Sequence, residues 1–210
     1  MTSLALKSVS EPASELQRFC VKFFAHPNTA VDDAKFIDVF HRWIQRQILP
    51  GILIDVADYR HIANGPGILL IGHEADIVID RAGGRLGLLY QRKSAQPGTL
   101  TARLCAAIET TLSACRLLEQ ELLLGGDIKF AGDEFIFVAN DRLLIPNNQA
   151  TFDTIRNDLE MVAEALSPPG GWEIQQCSTE DERERFSVRY RNTEPTNIET
   201  LLENLHRRPY

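Results

Sequence analysis

Six side chains able to do acid–base or metal chemistry crowd one short stretch of the chain: Asp55, Asp58, His61, His73, Glu74 and Asp76. A carboxylate beside a histidine is the usual general acid–base pair. Three or four such groups on a rigid frame hold a metal ion. The residue types suit either chemistry, but their spacing matches no zinc signature, so no bound metal and no cofactor are expected. The competing reading makes the carboxylates turn residues and ion-pair partners for Arg60, Arg81 and Arg85, since structural pairs perturb carboxylates as readily as catalytic ones do. Asp55 stands apart because it interrupts the apolar run Ile52, Leu53, Ile54, Val56 and Ala57. A carboxylate buried there must meet a cation, stay protonated or point into a solvated pocket. Burial and pairing are expected, with His41, Arg42 or His61 as the partner.

A second polar group, Asn140, Asp141 and Arg142, follows an apolar strand. It reads either as an anion-recognising arginine at a cleft edge or as a turn with a local Asp–Arg pair. Nucleophilic catalysis finds no support. Ser3, Ser8 and Ser10 lie near the start of the chain, no Gly-x-Ser-x-Gly elbow is present, and Cys105 and Cys115 fall inside a helical pattern. Asn64-Gly65-Pro66-Gly67 is no phosphate loop, because a strand pattern and not a helix follows it.

The elements that must position these groups form an antiparallel meander over about 52–92. Its expected strands are Ile52–Tyr59, Gly67–Ile71, Ala75–Asp80 and Arg85–Arg92. The first is unbrokenly apolar apart from Asp55, which predicts cover on both faces. The third alternates Ala75, Ile77 and Ile79 with Asp76, Val78 and Asp80, which predicts one wetted face. A strand at Phe19–Phe23 precedes the meander. Helices are predicted over about 31–49, 101–124 and 150–166, from apolar residues at three-and-four spacing. Two short strands around Gly132-Asp133, an exposed hairpin over 172–191 and a closing helix after a Thr196/Glu199 capping box complete the order. Hairpins mixed with long helices imply α+β with a mainly antiparallel sheet, three long helices, a C-terminal hairpin and a short helix. Residues 1–15 read as a mobile tail, and 16–210 as one domain with a possible subdomain joint at 168–171.

The composition excludes several classes. A net charge of −7 with no basic face argues against a nucleic-acid partner. No apolar run is long enough for a membrane span, and no signal peptide is visible. Four scattered cysteines, without a CxxC pair, argue against a disulfide framework and for a cytoplasmic setting. The stretch IDVADYRHIANGPGILLIGHE, with GRLGLLYQRK and the later NDRLLIPN, resembles a family of uncharacterised bacterial proteins over roughly 45 residues, a resemblance that brings no activity, cofactor or site residue with it.

Two functions follow. One is a non-catalytic module that binds a protein partner or self-assembles. A homodimer is expected from apolar surface off the seam Leu104, Ile108, Cys115, Leu118 and Leu122 of the 101–124 helix. The other is an acid–base or metal-assisted hydrolase built on Asp55, Asp58, His61 and His73.

Overall fold

The computed structural model describes residues 15–27, 29–62, 65–167, 171–177 and 183–207. The expected tail, apart from Glu15, and the expected joint, apart from Gly171, lie outside these residues. The strands are β1 (Phe19–Ala25), β2 (Leu53–Asp58), β3 (Ile68–Gly72), β4 (Ala75–Asp80), β5 (Gly87–Arg92), β6 (Phe130–Ala139), β7 (Trp172–Gln176) and β8 (Ser187–Asn192). The helices are α1 (Ala34–Arg46), α2 (Leu100–Glu119), α3 (Gln149–Leu166) and α4 (Ile198–Arg207). The strands form one sheet in the order β2-β3-β4-β5-β1-β6-β8-β7, antiparallel throughout. The fold is therefore α+β with an antiparallel sheet. The meander supplies its first four strands, and β1 is inserted at the centre.

Alternation along the strands separates two faces. Phe19, Val21, Phe23 and Ala25 of β1 join one core with apolar residues of all four helices. Cys20, Lys22 and Phe24 face the other way, yet they too are buried. Rings tie neighbouring strands together on the helix side. Phe135 of β6 stacks on Phe23 at 5.0 Å and on Tyr190 of β8 at 4.3 Å, with Trp172 of β7 edge-on at 5.4 Å.

Helix α2 runs through the middle of the helical layer. Thr99 caps it by accepting from the Ala102 amide, and Asp158 of α3 accepts from both the amide and the hydroxyl of Thr101. A carboxylate at that end also meets the positive pole of the helix dipole. Leu104, Ile108, Cys115 and Leu118 are buried, with β1 and β5 on one side and α3 and α4 on the other. The helix stops at Glu119, and Leu122 lies beyond it in a short 3₁₀ turn, 91% exposed. Most of the apolar surface that predicted a dimer through this helix is covered by the chain's own elements, while Leu122 and Leu123 beyond its end stay exposed.

Three further expectations change. Residues 130–139 are one strand and not two. Gly132 is there because the backbone of Asn197, entering α4, passes 2.6–2.7 Å from where a Cβ would lie. The C-terminal hairpin is not exposed as a whole, since β8 pairs on both sides and only β7 is an edge. The last helix is capped by Asn197, whose side chain accepts from the Thr200 amide, and not by Thr196.

Candidate functional site

Strand β2 pairs with β3 from Leu53 opposite Gly72 to Asp58 opposite Ile68. At about 3.3 Å per residue the two ends of this pair lie roughly 17 Å apart. Asp58 and His61 belong to one end; His73, Glu74 and Asp76 belong to the other. At the first end, Asp58 takes a two-pronged hydrogen bond from Arg60, Nε to Oδ1 at 2.9 Å and Nη2 to Oδ2 at 2.7 Å. The Arg60 guanidinium, with help from its backbone amide, holds the Asp58 carboxyl down at about 2. His61 is exposed, its ring 6.3 Å from that of Tyr59. At the other end, exposed His73 places Nδ1 3.6 Å from Glu74 Oε1. Asp76 is buried and accepts from Lys93 Nζ at 2.6 Å and from the Gly72 amide at 3.2 Å. The six candidates therefore do not share a pocket. Among the described residues, no three of His, Cys, Asp and Glu are grouped so as to hold a metal ion.

Asp55 is not buried or paired. β2 is an edge strand, and Ile52, Ile54 and Asp55 are exposed where cover on both faces was expected. Of the partners expected for it, Arg42 instead pairs with Glu121 at 2.6 Å. A bulge at Ile54 shifts the register, and the Asp55 carboxylate accepts from the Val56 amide at 2.8 Å. The Tyr59 amide donates to Gly67 of the neighbouring chain segment, so by antiparallel alternation the Val56 amide points outward along the free edge. Asp55 thus occupies a donor that another strand would otherwise take, as charges and bulges on edge strands do. Asp55→Asn is expected to shift the unfolding free energy by no more than about 0.5 kcal/mol, as at other exposed positions. A denaturant melt showing a loss of several times that would restore the buried reading.

The expected wetted face of β4 is also replaced. Asp76, Val78 and Asp80 are all buried. Asp80 meets Lys22 Nζ at 2.5 Å, and the same ammonium donates to the Arg85 and Ala82 carbonyls at 2.9 and 3.4 Å. Burial pushes the Lys22 pKa down, against the pull of Asp80. Beside this pair Arg85 stacks on Phe24, 3.7 Å from the ring centre, and forks onto Glu134 at 2.9 and 3.0 Å. Burial works against the Glu134 charge, but Arg85, Arg189 and Arg191 hold its carboxyl below the usual range. Sequence reasoning missed this cluster. The available signal was a lysine inside Phe19-Cys20-Val21-Lys22-Phe23-Phe24-Ala25, a strand with no other charge.

Asn140, Asp141 and Arg142 are held as structure. Asn140 accepts from Arg185 at 2.7 Å and donates to Cys20 Sγ at 3.1 Å. Asp141 caps a turn through the Leu144 amide, and Arg142 donates to the Arg183 carbonyl instead of pairing with Asp141. The three buried thiols offer no nucleophile here. Burial raises Cys20 to about 11 and Cys105 to about 12, and raises Cys115 well above its ordinary value.

Two clefts flank the meander. One, of about 570 Å³, contains Tyr59, Ile62, Arg60 and Arg81, but Arg60 is bound to Asp58, and Arg81 to Asp33 at 2.7 and 3.0 Å. The other, of about 250 Å³, lies between the 49–53 segment and strands β4 and β5. Tyr90, Arg92 and Glu74 line it, and of these only Glu74 was a candidate from sequence.

No family model, curated protein or solved structure matches the chain. Five of the nine large apolar side chains that stand exposed among the described residues fall between Ile48 and Ile62, in edge strand β2 and the segments on either side of it. Ile54, at the bulge, is 54% exposed, and Ile52, just before β2, is 60% exposed.

Proposed function

We propose that the protein is a non-catalytic module that works as a homodimer, two copies meeting through the β2 edge. The observation that carries this reading is that Ile54 of edge strand β2, with Ile48, Ile52, Tyr59 and Ile62 in the segments leading into and out of that strand, is exposed. Apolar residues gathered in one exposed strip are characteristic of interfaces, whereas isolated ones are ordinary. A second copy is the occupant because a two-fold axis brings the same strip onto itself, as isologous dimers require. Asp55 blocks the outward amide of Val56, so the contact is made by side chains and not by extending the sheet. A stable interface buries about 800 Å² on each partner, which takes the whole strip from Ile48 to Ile62.

The setting proposed is the cytoplasm, with no nucleic acid, membrane or cofactor involved. Cys20, Cys105, Cys115 and Cys177 are free thiols, as suits a reducing compartment. No helix among the described residues is long and apolar enough to cross a membrane. The alternative hydrolase would draw on Asp55, Asp58, His61 and His73, and no shared pocket supports it.

The net charge of −7 makes two copies repel at long range. Added salt screens that repulsion and leaves apolar contacts intact, so the dimer is expected to tighten as ionic strength rises. Light scattering across a salt series checks this; dissociation with rising salt would mean an ion-paired contact and would overturn the apolar-edge reading.

A further inference from the structure

The cleft between the 49–53 segment and strands β4 and β5 carries groups that the dimer reading does not use. Its walls include Leu49, Leu53 and Ile77, all buried members of the core. Tyr90 is 5% exposed, and its hydroxyl accepts from Arg92 Nη1 at 3.3 Å; among the described residues no acceptor takes its own proton. Arg92 spends Nε on the Ser94 carbonyl at 2.9 Å and one Nη2 proton on the Ala95 carbonyl at 3.4 Å. A guanidinium has five N–H donors, so each terminal nitrogen keeps one. Glu74 brings the opposite charge. Among the described residues, the one ion-pairing side chain within 4 Å of its carboxylate is the imidazole of exposed His73, with Nδ1 3.6 Å from Oε1. Its Oε2 lies 2.8 Å from where a Cβ on Gly51 would be, so a bare glycine admits the carboxylate.

We propose that this cleft binds a free apolar α-amino acid of about leucine size. The carboxylate of such a molecule accepts from Arg92 and from the Tyr90 hydroxyl, its ammonium meets Glu74, and its side chain lies on Leu49, Leu53 and Ile77. A simple fatty acid would leave Glu74 facing a second anion, and an amine would leave Arg92 without one. Only a molecule carrying both charges on one apolar body satisfies the three groups together. The volume, about 250 Å³, falls below the roughly 300–1,000 Å³ of drug-sized pockets and suits a single amino acid better than a nucleotide. The charged groups of the site come from one chain, but Ile52 of the proposed dimer strip also lines the cleft. The titration is therefore read beside the mass of the protein under the same conditions, and binding by single chains separates this proposal from the dimer reading.

Calorimetric titration of the full chain with L-leucine, L-isoleucine and L-phenylalanine tests the assignment, with isovalerate and isoamylamine as probes lacking one charge each. At least one of the amino acids binds, and the two single-charge probes bind more weakly. Tyr90→Phe and Glu74→Gln, which keep side-chain size, each weaken binding by about ten- to a hundredfold, as loss of a hydrogen bond to a charged group does. Thermal melts of both variants establish that they fold. Absence of heat with all three amino acids overturns the proposal. So does isovalerate binding as tightly as leucine, or an affinity unchanged in both variants.

Discussion

Lys22→Ala is expected to lower the unfolding free energy by about 3–5 kcal/mol, the cost of leaving one partner of a buried ion pair alone. The size follows from where the pair lies. Side chains of Lys22 and Asp80 are 7% and 10% exposed, and all three ammonium protons have acceptors, in Asp80 and the carbonyls of Ala82 and Arg85. Removing the ammonium strands a carboxylate on the central strands of the sheet and frees two carbonyls of the hairpin that covers them. The double change Lys22→Met with Asp80→Leu restores most of the loss, because an apolar pair of similar volume carries no desolvation cost. Denaturant melts of the single and double variants check both statements. A single variant that loses less than about 1 kcal/mol would mean that water reaches the pair and that the outer sheet face is open there.

Phe135→Ala is expected to cost about 3–5 kcal/mol as well, by a different route. It is fully buried, and its ring is held between those of Phe23 and Tyr190 with Trp172 against its edge. One side chain therefore ties four neighbouring strands, and truncation leaves a cavity that these rigid rings fill poorly. Phe135→Leu keeps most of the buried area but loses the ring contacts, worth about 0.5–1.5 kcal/mol each in favourable geometry, so it falls between the two. Near-ultraviolet circular dichroism at Trp172, read beside a denaturant melt, distinguishes cavity from unfolding. A loss below about 1 kcal/mol for the alanine variant would mean that the β6–β8 half repacks freely.

The elements were legible wherever periodicity or turn chemistry was strong. The meander strands, the 149–166 helix and the alternation of Phe135, Phe137 and Ala139 follow from spacing alone. The class, α+β on an antiparallel sheet, followed from their order. What spacing does not encode is which strand ends the sheet. Residues 52–58 read as a doubly covered strand because they are apolar, yet β2 is the edge. Their apolarity marks exposed surface, and that error carried Asp55 with it. Asp76 and Asp80 read as wetted for the converse reason. Alternation predicts a polar face, but the lysine partner of Asp80 comes from β1, inserted beside β5, and that of Asp76 from the segment after β5, brought there by the β4–β5 pairing. Gly132 read as a turn because nothing local reveals that Asn197 will cross it. Of the candidate site, only Glu74 lies in a cleft with uncommitted donors beside it. Tyr90 and Arg92 resembled ordinary strand residues until β4 and the 49–53 segment closed around them.

The central claim is that the β2 edge joins two copies. Sedimentation equilibrium of the wild-type chain and of Ile54→Asp, at micromolar concentration, tests it most directly. The wild type is expected at twice the mass of one chain and Ile54→Asp at the mass of a single folded chain, because the change removes an exposed apolar side chain of the edge strand and sets a second carboxylate beside Asp55. A wild-type protein that stays at single-chain mass over the whole concentration range, or a dimer that Ile54→Asp leaves intact, would contradict the account.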